Sequence, residues 1–360
     1  MKIVPVILAG GIGERFWPMS RSCAPKQLHA IASERTMLED TLLRLNSICS
    51  GDTKPMIITG VSIAQKVKSS LNNDDDAEII SEPIGKNTAP AIALGAAIIQ
   101  KRHGDAVMIV VSADHAISPK EAFAEAANAA VELASIDGRL VVFGIKPSRP
   151  ETGYGYIETG ASLPSSNKIP AFEVKRFVEK PDAVNAKRFM EEGTFLWNSG
   201  MFVWKASTIL NEFREHMPDL YSQAMEAAKK DFTDEAIAEF YNVCVKESID
   251  FGIMEKAKNV SAVAGNFSWD DLGSWESLSR VYGVDKNNNT ASGRLVFQQE
   301  CNDSLIINKS PLTLCAVGLD NVALIAVDDA VLAIDRSKLP DLKKYLSLIK
   351  ESKQFPQELF

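Results

Sequence analysis

Through the first 150 residues short apolar runs alternate with longer helical patterns, and that rhythm restricts the chain to βαβ units around a mainly parallel, three-layer sheet. The runs are Ile3–Leu8, Pro55–Thr59, Ala106–Val111 and Leu140–Ile145. Helical stretches fall at Met37–Asn46, Ile63–Leu71, Ala89–Arg102 and Pro119–Ala134. From Gly153 to Lys180 the pattern turns to strand and loop, and helices return at Lys187–Glu192 and Ala206–Ala228. Insertions after parallel strands are where an α/β sheet holds a second substrate. A polar run, Asp285–Gly293, reads as a linker. Beyond it Leu295–Ile307, Thr313–Val317, Val322–Val327 and Ala330–Ile334 are short strand-like pieces, followed by a helix around Pro340–Lys350. The expectation is an α/β, Rossmann-like domain over residues 1–283 and a small β-rich domain over residues 284–360 that ends in a helix.

With 360 residues, 46% hydrophobic and 24% charged, the chain has soluble-globular composition and more length than one ordinary domain absorbs. A formal net charge of −8 repels a phosphate backbone, so nucleic acid is not an expected partner. An anionic small molecule stays open, because local Lys and Arg decide that binding. Five cysteines, at 23, 49, 244, 301 and 315, form no C-x-x-C pair and suit a reduced compartment. The apolar start breaks at Gly10-Gly11, which suits a first core strand better than a signal peptide. No run reaches the roughly 20 apolar residues of a membrane span. The expected location is the cytoplasm, with no membrane partner.

Directly after the first strand comes Gly10-Gly11-Ile12-Gly13-Glu14-Arg15-Phe16-Trp17-Pro18, then Pro25-Lys26-Gln27. Glycines let backbone N–H groups approach phosphate oxygens, and Arg15 and Lys26 supply charge for a triphosphate. The dinucleotide pattern fails because Phe16 stands where its third glycine belongs, and the Walker Gly-Lys-Ser/Thr is absent. Taken alone, the segment also fits an ordinary turn between a strand and a helix.

These residues resemble the signature of the sugar nucleotidyltransferases, in the form found in mannose-1-phosphate guanylyltransferases. The resemblance implies a three-layer nucleotidyltransferase domain in which Gly10, Gly11 and Gly13 cradle the nucleotide while Arg15 and Lys26 bind its phosphates as catalytic charges. Glu82-Pro83-Ile84-Gly85-Lys86-Asn87-Thr88-Ala89-Pro90 resembles the segment that opens a helix near the nucleotide, with Lys86 where arginine is usual. It brings in Asn87 and Thr88 as nucleotide-binding residues. Glu82 has the chemistry to accept from guanine N1–H and the 2-amino group, a donor pair that adenine and uracil lack.

Asp114, in Ser112-Ala113-Asp114-His115, follows a strand, where ligands and helix caps are both common. The resemblance makes it a magnesium ligand and leaves His115 structural. Phe267-Ser268-Trp269-Asp270-Asp271-Leu272-Gly273-Ser274-Trp275 resembles the segment whose aspartate completes the metal site, and alignment on Gly273-Ser274-Trp275 selects Asp271 over its neighbour Asp270. Three segments resemble the family's sugar-phosphate site: Pro150–Ile157, Arg176–Pro181 and Leu196–Met201. They carry over Gly153, Glu179, Lys180 and Asn198 as binding residues, with Lys180 also catalytic. Glu247–Lys256 reads as a brace for that site.

The implied activity is transfer of GMP from GTP to mannose 1-phosphate with Mg2+, giving GDP-mannose and pyrophosphate. A nucleotidyltransferase for another base or hexose 1-phosphate, and a non-catalytic homologue that binds nucleotide sugars, are the alternatives. The chain ends too early for the cupin-type phosphomannose isomerase domain that some relatives carry, so isomerase activity is not expected. Oligomeric state stays open, with a homodimer compatible with everything above.

Overall fold

A computed structural model of the chain describes residues 1–49, 53–71, 76–136, 138–165 and 169–360. Its contacts define two units. The first comprises Met1–Gly10, Thr41–Ala113 and Ile117–Trp269; the second comprises Gly11–Asp40, Asp114–Ala116 and Asp270–Phe360.

The first unit is built on nine strands: β1 Ile3–Leu8, β2 Met56–Gly60, β3 Glu78–Glu82, β4 Val107–Ser112, β5 Leu140–Ile145, β6 Tyr156–Leu163, β7 Ala171–Val178, β8 Phe195–Lys205 and β9 Val260–Ala264. They lie in the order β3-β2-β1-β4-β8-β5-β9-β7-β6. One half is parallel, with β1 between β2 and β4 and with β2 beside β3. The long strand β8 runs antiparallel to both β4 and β5, and further antiparallel pairs close the far edge. Strands covered on both faces need apolar residues at nearly every position, which β4 supplies as Val-Met-Ile-Val-Val. The pairing of Leu8 with Ser112 sets β1 and β4 level, so the loops after both leave one carboxyl edge, the edge where such sheets bind ligands.

Helices Thr88–His103, Ala206–His216 and Pro218–Lys229 cover one face, meeting Val4, Val6, Met108 and Val110. On the other face Phe123 of the helix Lys120–Ile136 packs 5.7 Å from Phe143 and 5.5 Å from Phe267. The helix Thr88–His103 is buried without a break from Ala89 to Ile99, which explains its apolar character all round. Small residues let it lie close to the sheet. A Cβ on Gly95 would stand 3.2 Å from Ile58 Cδ1.

Several expected elements differ in detail. The single helix expected over Ala206–Ala228 is two, because Pro218 opens the second and Met217 before it adopts φ −140°, ψ 61°. Strands β3, β8 and β9 and the helix Asp234–Val243 were not anticipated. The expected linker, Asp285–Gly293, ends in a strand, Thr290–Gly293.

In the second unit Thr290–Gly293, Leu305–Asn308 and Val322–Val327 stack as parallel rungs, with Ala330–Asp335 antiparallel beside them. Val296–Gln299 pairs with Leu314–Val317 as a second parallel layer. The contacts therefore draw no boundary at 283/284. Phe16 and Trp17 of the glycine loop share one core with Leu272, Trp275, Leu305, Ile307 and Ile325. Apolar side chains flanking a short loop cannot bury within it, so they bury against the rungs instead. Trp275 is fully buried, lies 5.0 Å from the Phe16 ring and donates from Nε1 to the Trp17 carbonyl at 2.8 Å. All five cysteines are free.

The rungs impose one strict requirement. Gly293 has φ +118°, and a Cβ there would sit 1.9 Å from the Asn308 carbonyl oxygen of the next rung. Gly293→Ala is expected to destabilise the protein by on the order of 3 kcal/mol or more, combining backbone strain with overpacking. Gly85→Ala, with open space and no left-handed φ, serves as the control in the same thermal melts; equal Tm values for the two variants would refute the rung geometry.

Candidate active site

The loop after β1 positions a lysine. Lys26 opens the 3-10 turn Lys26–Leu28 behind Pro25, and its N–H donates to the Ile12 carbonyl at 3.1 Å. Gly13 has φ +75°, and a Cβ there would meet Lys26 Cβ at 2.6 Å, so the glycine is what lets the lysine stem lie against the loop. Lys26 is only 5% exposed. A buried ammonium must have its three N–H groups satisfied. Nζ stands 2.6 Å from Asp114 Oδ2 and donates to the carbonyls of Leu272 at 2.9 Å and Asp271 at 3.0 Å.

Leu272 reaches that position through a left-handed φ of +45°, held by its N–H donating to Asp270 Oδ1 at 2.9 Å. Asp270 is buried and grips Arg280 through both oxygens, at 2.5 and 3.1 Å. The Asp271 carboxylate accepts from the Gly273 N–H at 3.1 Å. The two neighbouring aspartates thus have different partners. Arg15 is exposed and makes no side-chain hydrogen bond or ion pair among the described residues. Its neighbour Glu14 is hydrogen-bonded by Lys343, at 2.9 Å, which holds its carboxyl below the usual range.

In the first unit Glu82 ends β3 and is buried. Its Oε1 accepts from the Tyr241 hydroxyl at 2.8 Å, and Oε2 stands 3.6 Å from where a Cβ on Gly10 would be. Burial raises its pKa against the opposing pull of that hydrogen bond. Asn87 caps the helix Thr88–His103 by accepting from the Thr88 N–H at 2.9 Å. The Thr88 hydroxyl accepts from the Ile249 N–H at 2.8 Å, and Lys86 donates to the Cys244 carbonyl at 3.2 Å. Asn87 is exposed and has φ +71°.

The sugar-phosphate candidates also lie in the first unit. Glu179 Oε1 accepts from Lys180 Nζ at 2.7 Å, and Lys180 is exposed with φ +46°. Asn198, on β8, accepts at Oδ1 from the Gly200 N–H at 3.0 Å and donates from Nδ2 to Asp250 Oδ1 at 2.8 Å. Both ends of that amide are therefore oriented. Gly153 lies apart, exposed, with its N–H on Glu151 Oε1 at 3.0 Å. Gly155 is the glycine that matters for contact. A Cβ there would fall 2.5 Å from Glu179 Oε2 and 3.3 Å from Asn198 Cβ.

Reading the sequence missed Gly155, Tyr241 and Asp250 as site residues. Gly155 was visible as the second glycine of Gly153-Tyr154-Gly155. Asp250 was not, because it opens a π-turn, Asp250–Met254, a shape that no apolar period announces. Burial, reinforced by Glu179, pushes Asp250 up to about 6. The folded protein thus holds a proton that the unfolded chain releases near 4, and stability falls as pH rises through that window. From pH 4.5 to 7, Asp250→Asn should gain on the order of 2 kcal/mol on the wild type in denaturant titrations. A gap that does not change with pH would contradict the shift.

Residues 4–287 match the nucleotidyl transferase family. A mannose-1-phosphate guanylyltransferase of Klebsiella pneumoniae is 37% identical over 359 residues, covering 98% of this chain and 75% of that protein. The alginate biosynthesis protein AlgA of Pseudomonas syringae pv. tomato is 35% identical over 356 residues, covering 97% and 72%. Among solved structures, a Thermus thermophilus protein described as a mannose-1-phosphate geranyltransferase aligns over 97% of this chain and 100% of that one, with TM-score 0.86 and 30% identity. The buried lysine behind the glycine loop and this end-to-end likeness lead to one conclusion: the chain belongs to the nucleotidyl transferase family and groups with its mannose-1-phosphate guanylyltransferases.

Proposed function

We propose that the protein transfers GMP from GTP to α-D-mannose 1-phosphate, releasing pyrophosphate and GDP-mannose. Lys26 carries the reading: a buried ammonium, fixed by a carboxylate and two carbonyls behind a glycine loop, is a preorganised positive charge of the kind phosphoryl chemistry uses. The names of the relatives support the base and the sugar.

In this reaction a phosphate oxygen of mannose 1-phosphate attacks the α-phosphorus of GTP in line, and the bond to the β-phosphate breaks. No base is needed, because the nucleophile is already an anion. The chain has two tasks, positioning and charge neutralisation. Gly10, Gly11 and Gly13 give the triphosphate backbone N–H groups, and Arg15 and Lys26 give it positive charge. Glu82 reads guanine with the oxygen that Tyr241 leaves open, and Asn87 and Thr88 line the nucleotide. Lys180 takes the sugar phosphate, while Glu179 accepts from sugar hydroxyls and Asn198 donates to them beside Gly155.

Asp114 and Asp271 would hold a magnesium ion. Their hard carboxylate oxygens fit it, with phosphates and water completing the shell; Asp114 touches Lys26 through its carboxylate and Asp271 through its main-chain carbonyl. Among the described residues no cluster of three or more His, Cys, Asp or Glu offers an alternative. Bound there, the ion would polarise the α-phosphate and offset the repulsion between two anions. The cytoplasm suits five free thiols, and no helix among the described residues is long and apolar enough to cross a membrane.

Pyrophosphate release, measured with GTP, ATP, UTP and dTTP against mannose, glucose and fucose 1-phosphates, tests the assignment. GTP with mannose 1-phosphate should be the fastest pair by about tenfold or more. A faster pair of another kind would replace the base or the sugar, and nucleotide-sugar binding without turnover would make the protein a binder.

The metal assignment has its own test. Asp271→Asn keeps the main-chain carbonyl that holds Lys26 and removes only the carboxylate charge, so it should fold normally and lose about 10²-fold or more in kcat. Asp270→Asn should instead lower Tm, since Asp270 is engaged by Arg280. Turnover that survives thorough chelation of divalent metal would remove the ion from the mechanism.

A further inference from the structure

Behind the glycine loop, within the second unit, lies a cavity of about 510 Å³, a size that accepts a small organic ligand. Its apolar lining includes Trp17 and Phe360, whose rings stack 6.4 Å apart at 10°, together with Leu346 and Phe355. Two of its charged residues are already matched. Arg21 is gripped by Asp329 and Glu14 by Lys343, neither partner lining the cavity. Lys350 and Lys353, exposed on its wall, make no ion pair with a carboxylate among the described residues.

Two hydrogen-bonded routes run from this wall to Lys26. Ile12 lines the cavity, and its carbonyl accepts from the Lys26 N–H at 3.1 Å. Trp17 lines it too, and its carbonyl accepts from Trp275, which closes the segment whose Asp271 and Leu272 carbonyls hold Lys26 Nζ. An occupant that shifted Ile12 would act on the main chain of Lys26, and one that shifted Trp17 would act on the segment that holds its ammonium.

We propose that this cavity is an effector site for a small anion with a flat apolar body, held by Lys350 and Lys353, whose occupancy changes turnover through Ile12 and Trp17. The apolar lining takes the body, and the two ammonium groups take the anionic end. The proposal rests on Lys26 being the catalytic charge.

The probe is 1-naphthyl phosphate, titrated calorimetrically into the full chain in the presence of saturating GDP-mannose, with kcat measured at saturating substrates with and without it. The wild type should bind it and change kcat about twofold or more, as allosteric couplings commonly do. The double variant Lys350→Glu/Lys353→Glu should bind at least about tenfold more weakly and keep basal turnover. Absence of binding at millimolar probe, competition by GDP-mannose, or unchanged affinity in the double variant would each overturn the site. Binding that leaves kcat unchanged would overturn the effector role. A wild type with no turnover at all would instead refute the catalytic reading, while the calorimetry would still decide the cavity.

Discussion

Everything around the glycine loop depends on keeping one ammonium charged while it is nearly excluded from water. Removing a cation from solvent costs several kcal/mol unless its donors are met. For Lys26 the solution draws on distant parts of the sequence. The carboxylate comes from Asp114, the carbonyls from Asp271 and Leu272, and the main-chain acceptor from Ile12. Each contributor needs its own support. Leu272 is held left-handed by Asp270, Asp270 by Arg280, and Trp275 ties the segment to the Trp17 carbonyl. This explains why the loop shares a core with the later rungs instead of closing on itself.

The sugar-phosphate candidates follow the opposite logic. There the chain gathers negative charge: Glu179 and Asp250 repel one another, and Asp250 sits buried with an amide as its side-chain partner. Such an arrangement lowers stability in the free protein, and it is what a site needs if its ligand brings hydroxyl donors. The amide of Asn198 is oriented at both ends before any ligand arrives, so little is lost in fixing it on binding. Lys180 is exposed, and its ammonium pairs with Glu179.

The parallel half of the sheet was legible because β1 and β4 are uninterrupted apolar runs separated by helical periods. β8 was hidden by the polar Asn198-Ser199-Gly200 in its middle, and β3 by its short, acidic sequence. The glycine loop was legible from its place after β1, whereas the roles of Lys26 and Asp114 came from family resemblance. Periodicity says nothing about which carbonyl a lysine will find. Leu272 holds Lys26 only because a non-glycine residue turns left-handed, and Asp250 joins the site only through a π-turn. Both are long-range solutions to burial, and neither leaves a local mark. The composition shift near residue 284 falls inside the second unit, where Phe16, Trp17 and Trp275 bury against Leu305, Ile307 and Ile325.

The central claim is that Lys26 acts as a fixed charge, so that both its sign and its position matter. Single-turnover pyrophosphate release by Lys26→Arg and Lys26→Met, with melts to establish folding, tests it most directly. Arg keeps the charge but cannot reproduce a compact ammonium held by a carboxylate and two carbonyls. Both folded variants should therefore be slower than wild type by about 10²-fold or more, the scale of one preorganised electrostatic group. A folded Lys26→Met that releases pyrophosphate at the wild-type rate would contradict the claim outright, and a wild-type rate in Lys26→Arg would show that position is unimportant.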